Sequence, residues 1–134
     1  MDGSYRALEP YMKKNPIRVV IVDDDRAVRR SLKFSLELDG LAVRTCDSGL
    51  KLLWDYDFAG VDCLILDHKM PDMDGFAVLA ELAARAVTVP VILITAPVTD
   101  RIRQQAERAG VFCILEKPLL NGILVDHVRR AALT

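Results

Sequence analysis

From residue 17 onward, the apolar positions follow two alternating rhythms. Ile17 to Val22 is a short β-branched run closed by Asp23-Asp24-Asp25. Arg26 to Leu38 carries Val28, Leu32 and Leu36 at helical spacing and stops at Gly40. Leu41 to Cys46 predicts a strand, and Ser48 to Tyr56 a helix with Ser48 as its cap. Asp62 to Leu66 is an apolar strand, followed by a loop from His68 to Asp74 and a helix from Gly75 to Ala86. Val89 to Thr95 is the strongest strand, with Pro90 confined to its beginning, where a strand tolerates it. Thr99 to Ala109 sets Ile102, Ala106 and Ala109 on one helical face and ends at Gly110. Phe112 to Leu115 predicts a last strand, and Leu119 to Leu133 a last helix. Strands that are apolar throughout must be covered on both faces. The pattern therefore predicts an α/β fold with a doubly wound parallel sheet of five strands and five helices.

With 134 residues, 51% of them hydrophobic, the chain has room for one domain and a core that needs no disulfide or metal staple. Eighteen basic against nineteen acidic residues leave a net charge of −1, so charge gives no argument for nucleic acid or an anionic membrane as partner. The nearest approach to a bilayer span, Val78 to Val98, carries Glu81 and Arg85 and is broken at Pro90. No export signal precedes the pattern. The three cysteines lack metal-ligand spacing, and Cys63 and Cys113 sit in apolar segments as small hydrophobes. A reducing, cytoplasmic setting is the expectation. Residues 1–16 read as an N-terminal extension, with breakers at Pro10 and Pro16. Tyr5, Leu8 and Met12 share a helical face there, but three residues are a weak signal and a frayed tail is the preferred reading.

In open parallel sheets, ligands bind beyond the carboxyl ends of the strands. Strand 1 ends in Asp23 and Asp24, strand 3 in Asp67, strand 4 in Thr95, and strand 5 in Lys117. Each residue alone has an ordinary reading. The acid run could favour the positive end of the next helix, a single aspartate could be a turn residue, and a lysine is common on surfaces. Together they put three carboxylates, a hydroxyl and an ammonium on one rim. The carboxylates repel one another unless a cation sits among them, and the hydroxyl and lysine suit an anion. A hard divalent ion with a phosphoryl group satisfies all of them.

Val19-Val20-Ile21-Val22-Asp23-Asp24-Asp25, Asp62 to Pro71 with Asp72-Met73-Asp74-Gly75, Val91 to Ala96, and Leu115-Glu116-Lys117-Pro118 resemble the receiver domains of two-component response regulators. The resemblance runs in order over about residues 17–133 and marks 17–134 as the receiver. It implies the flavodoxin-like strand order 2-1-3-4-5; a member of the family is itself the standard example of that order. It makes Asp67 the phosphoacceptor, a carboxylate nucleophile that forms an acyl phosphate. It implies Mg²⁺ held by Asp24 directly, by Asp23 largely through water, by Asp67, and by the backbone carbonyl of Lys69. Lys117 then neutralises phosphoryl charge, Thr95 hydrogen-bonds it, and Ala96 leaves it space. A cis Lys117–Pro118 peptide is implied in the same way. The implied partner is a sensor histidine kinase or phosphotransfer protein, docking near Arg26 and Arg29 and on Leu119-Leu120. The reading is a stand-alone, non-enzymatic regulator whose output comes through protein contacts, including a homodimer.

Two departures bear on the switch. Where the family often has an aromatic that changes rotamer, this chain has Ile114, a stiff β-branched side chain, with Phe112 two residues earlier. Pro97 stands two residues after Thr95, in the loop expected to move. A receiver-fold scaffold that no longer signals by phosphorylation is therefore one alternative. The other is an aspartyl-phosphate hydrolase with Asp23 as nucleophile and Asp25 as acid, but it leaves Asp67 without a role and finds only Asp126 beyond Lys117. Asp72-Met73-Asp74-Gly75 imitates part of a Ca²⁺ loop whose first ligand position would be Met70. His68 reads as a solvated loop histidine before it reads as a catalytic base. Trp54, Tyr56 and Phe58 read as packing under the second helix, with no basic stripe to make them a base-stacking platform.

Overall fold

A computed structural model describes residues 16–120 and 122–134. Five strands, β1 (Arg18–Val22), β2 (Ala42–Cys46), β3 (Cys63–Asp67), β4 (Val91–Thr95) and β5 (Cys113–Glu116), alternate with five helices. These are α1 (Arg26–Leu38), α2 (Gly49–Asp55), α3 (Gly75–Ala84), α4 (Asp100–Ala109) and α5 (Ile123–Ala132). All strand pairs are parallel, in the order β2-β1-β3-β4-β5. The proposed helical face of Tyr5, Leu8 and Met12 lies outside the described residues.

Alternate side chains of each strand enter two separate cores. Val20, Val22, Leu64, Leu66, Val91 and Leu93 meet α2, α3 and α4 on one face. Val19, Ile21, Cys63, Ile65, Ile92 and Ile94 meet α1 and α5 on the other. β3 and β4 are buried along their whole length, which explains why their sequences show no polar alternation. α1 anchors itself by Leu36, its one buried residue, so Leu36→Ala would remove about 2–5 kcal/mol of packing.

Polar side chains start four of the helices. Asp25 accepts from the amides of Ala27 and Val28, Ser48 from Lys51, Asp74 from Ala77, and Thr99 from Ile102. α5 has no side-chain cap; it begins after Gly122, whose φ is 82°. Its start at Ile123 corrects the expected start at Leu119. Leu119 packs, half-buried, on the α1/α5 core, while Leu120 is exposed. α3 likewise ends at Ala84, two residues early, because Ala86 takes a φ of 56° without a glycine to announce it. Trp54 does not pack beneath α2 but is 81% exposed on its outer side, whereas Tyr56 and Phe58 pack against the core. Cys46, Cys63 and Cys113 are free thiols, and burial pushes Cys63 up to about 12.

Candidate functional site

Strand register builds the site. Val22 lies opposite Leu66, so the next residues, Asp23 and Asp67, leave adjacent strands side by side. Asp67 pairs with Ile94, one residue before Thr95, and Thr95 pairs with Glu116, one residue before Lys117. The sequence-predicted set of Asp23, Asp24, Asp67, Thr95 and Lys117 thus arrives at one rim. Behind it, Gly75 starts α3 so close to β3 that a Cβ would meet the His68 Cα and Leu93 Cδ1 at 3.0 Å. Its amide donates to the His68 carbonyl at 2.8 Å, which fixes the chain leaving Asp67.

Asp23 and Asp67 are 3% and 4% exposed, and both face the ammonium of Lys117. Lys117 Nζ lies 3.1 Å from Asp67 Oδ1 and 3.6 Å from Asp23 Oδ2. Burial first, and then the charge of Asp23, raise the Asp67 carboxyl above its ordinary range, with Lys117 opposing them. For Lys117, burial pulls the other way, but its pairing with Asp67 and Asp23 prevails and raises its pKa. The second oxygen of Asp23 accepts from the Asp25 amide at 2.9 Å, and its carbonyl accepts from Arg29 at 2.8 Å. Arg29 is therefore tied to the site's own backbone, while Arg26 stays exposed.

One oxygen each from Asp23, Asp24 and Asp67 fall within 4.8 Å of one another. All three donors are hard carboxylate oxygens, and Asp24 is exposed, which leaves room for the waters Mg²⁺ keeps. Beside them the Thr95 hydroxyl is buried, at 1% residue exposure, and has no hydrogen-bond partner among the described residues. A buried hydroxyl left unpaired costs about 1–3 kcal/mol, so the rim holds a donor suited to an incoming oxygen. The residues fit a divalent ion plus an oxyanion.

The acid run divides its work. Asp23 and Asp24 face the site, while Asp25 is committed to capping α1, which removes it as the acid of a hydrolase. Asp74 caps α3 and not a Ca²⁺ ion. His68, expected in solvent, is half-buried with Nδ1 unpartnered, its ring edge-on to Phe76 at 4.7 Å. Ile114 packs on the α2/α3/α4 core, while Phe112 precedes β5 and is 38% exposed. The Lys117–Pro118 peptide is cis, and so is Ala96–Pro97, which sequence reasoning missed. Two further contacts lacked any signal in the pattern. The Lys69 ammonium donates to the Ala96 carbonyl at 2.7 Å, and the Val98 amide donates to Glu116 Oε2 at 2.7 Å.

Residues 19–129 match the response regulator receiver domain family. The chain is 38% identical over 116 residues to the C4-dicarboxylate transport transcriptional regulatory protein DctD of Pseudomonas aeruginosa, covering 85% of this chain and 25% of that protein. It is 32% identical over 114 residues to the transcriptional regulatory protein FixJ of Rhizobium meliloti, covering 85% and 56%. It thus spans from a quarter to rather more than half of those relatives. The solved structure of FixJ-N superposes with a TM-score of 0.78 at 31% identity, over 89% of this chain and 95% of that one. The chemotaxis protein CheY4 of Vibrio cholerae has the same fold, with a TM-score of 0.81 at 24% identity over 87% and 99%. The chain belongs to the receiver domain family, whose members signal and are not enzymes. Receiver domains are phosphorylated by histidine kinases, and the Asp23, Asp24 and Asp67 pocket is typical of their Mg²⁺ site. Among the described residues, no helix is long and apolar enough to cross a membrane.

Proposed function

We propose that this receiver takes a phosphoryl group from a sensor histidine kinase, or from a phosphotransfer protein, onto Asp67. A carboxylate oxygen of Asp67 forms the bond to phosphorus as the bond to the donor's imidazole nitrogen breaks, leaving an acyl phosphate and a neutral imidazole. Asp23, Asp24, Asp67 and the Lys69 carbonyl are the residues that would hold Mg²⁺. When bound, the ion supplies positive charge between the acids and the phosphoryl oxygens. Lys117 transfers its attraction from Asp67 to the new phosphoryl group, and the Thr95 hydroxyl donates to one of its oxygens.

The observation that carries this reading is the pairing of Lys117 with Asp67 at 3.1 Å beside the buried, unpartnered Thr95 hydroxyl. A cation on the acceptor and an idle donor next to it suit an anion that arrives on Asp67. Residues 17–134 form the receiver in this reading and residues 1–16 an extension to it. Its output runs through protein contacts, and Leu120 and Ile123, exposed shortly after Lys117 in the chain, support a surface of that kind. Intact mass after treatment with a small-molecule phosphodonor and Mg²⁺ tests it. Wild type should gain one phosphoryl mass and Asp67→Asn none. A phosphoryl group mapped to Asp23, or retained in Asp67→Asn, would sink the assignment.

A further inference from the structure

Glu116 and Lys69 reach the loop after β4 from opposite sides. Glu116 ends β5 and accepts from the Val98 amide at 2.7 Å; Lys69 leaves β3 and donates to the Ala96 carbonyl at 2.7 Å. Both bonds pair an ionised side chain with a backbone group, the stronger kind of protein hydrogen bond. They bracket Pro97, and the residue just before the bracket is Thr95, whose hydroxyl is buried without a partner.

That combination needs an explanation. Left alone, the loop would settle where the Thr95 hydroxyl finds an acceptor, because burying it unpaired is unfavourable. Asp67 carries acceptor oxygens on the neighbouring strand. We infer that Glu116, with Lys69 at the other end, is a positioning residue that clasps the loop after β4 in the conformation where Thr95 stays unpaired, and so restrains the receiver from its phosphoryl-bound state. Glu116 touches neither the acceptor nor the metal ligands; it acts through Val98. The inference rests on the phosphoacceptor reading given above and adds to it a residue that sets how readily the site engages an oxyanion.

Two measurements on the 134-residue chain separate the outcomes. Amide hydrogen exchange of Val98 reads the clasp with no phosphoryl chemistry involved. Titration with beryllofluoride and Mg²⁺ reads the energetic balance. Glu116→Ala should lose Val98 protection and tighten beryllofluoride binding by about fivefold or more, the size expected when one exposed charge-assisted bond is lost from only one of two states. Glu116→Gln keeps an acceptor oxygen for Val98 and should fall between it and wild type, which a loss of bulk at the surface would not produce. Lys69→Ala should loosen the other end with the same sign. Unchanged Val98 exchange, or beryllofluoride affinity that stays level or weakens in Glu116→Ala, overturns the clasp. Failure of wild type to bind beryllofluoride at all would instead overturn the phosphoacceptor reading, and the clasp's regulatory role with it.

Discussion

On the β1/β3 side of the rim, two buried aspartates share one lysine within 3.1 and 3.6 Å, whereas at β4 a buried threonine hydroxyl has no partner. The first region is held by its own charges. The second is held from outside, through Lys69 and Glu116, while the threonine hydroxyl stays unpaired. The contrast separates two tasks. Holding a metal and a nucleophile needs charge assembled in advance, while reporting on their state needs a group with something still to gain. Asp67 and Thr95 end strands that are buried along their length, β3 and β4, so any freedom lies in the loops and not in those strands.

The sharpest way to break the comparison is to remove the charge that the first region shares. Lys117→Ala should abolish measurable phosphorylation of Asp67 while leaving Mg²⁺ binding intact, because the lysine serves the anion. It should also destabilise the apo protein by about 1–2 kcal/mol; two buried carboxylates lose their counter-charge, but the lysine is partly exposed and Asp67 can take up a proton. Mass spectrometry and metal titration check the first statement and urea unfolding the second. Loss of Mg²⁺ affinity in Lys117→Ala would put the lysine on the wrong side of the division.

A smaller effect follows from the metal. At about 5 Å and an effective dielectric near 20, each pair of unit charges repels by roughly 3 kcal/mol before screening. Mg²⁺ at about ten times its dissociation constant should stabilise the fold by roughly 1.4 kcal/mol, a rise of a few degrees in Tm. Asp24→Asn should melt higher than wild type in EDTA and show almost no Mg²⁺ shift. If that variant keeps the full shift, the cation site lies elsewhere.

The smallest effect is one of pH. The Asp67 carboxyl is raised in the folded state, so its ionisation disfavours folding. The metal-free protein should give up stability as pH climbs from the ordinary carboxylate value of about 3.9 through the raised one. Asp67→Asn should therefore gain on wild type across that window and run parallel to it above. Lys117 has the same sign in a far higher window: its raised pKa contributes stability below about 10.4 that disappears as pH rises through the folded value. Urea unfolding in EDTA at a series of pH values reads both. A difference between wild type and Asp67→Asn that is flat in the acid window would show the carboxylates fully compensated by Lys117.

The gathering of these residues at one rim was legible because its signal is local. Each apolar run stops at a polar residue, and parallel pairing then places those stops at one edge, so the sequence alone puts Asp23, Asp67, Thr95 and Lys117 together. The clasp was not legible. Nothing in the spacing of Lys69 or Glu116 says that a long side chain will turn sideways onto a neighbouring loop. Leu119 and Leu120 fit a helical period, yet helix formation waits for Gly122, because the rhythm records burial and not where backbone bonding begins. Asp25 shows the same limit. Three consecutive aspartates look alike in sequence, and only the turn between β1 and α1 gives two to the site and the third to the helix.

The position of Trp54 has a spectroscopic consequence. It is the chain's single tryptophan, and it stands 81% exposed near the carboxyl end of α2, a helix that runs back from the rim towards the opposite end of the sheet. Its emission will be that of an indole already in water, little altered when a cation or a phosphoryl group reaches Asp67. Quenching by iodide will report the outer surface of α2, and any partner that covers that helix will announce itself by a blue shift. The intrinsic fluorescence of this receiver is thus blind to its chemistry and sensitive to its company.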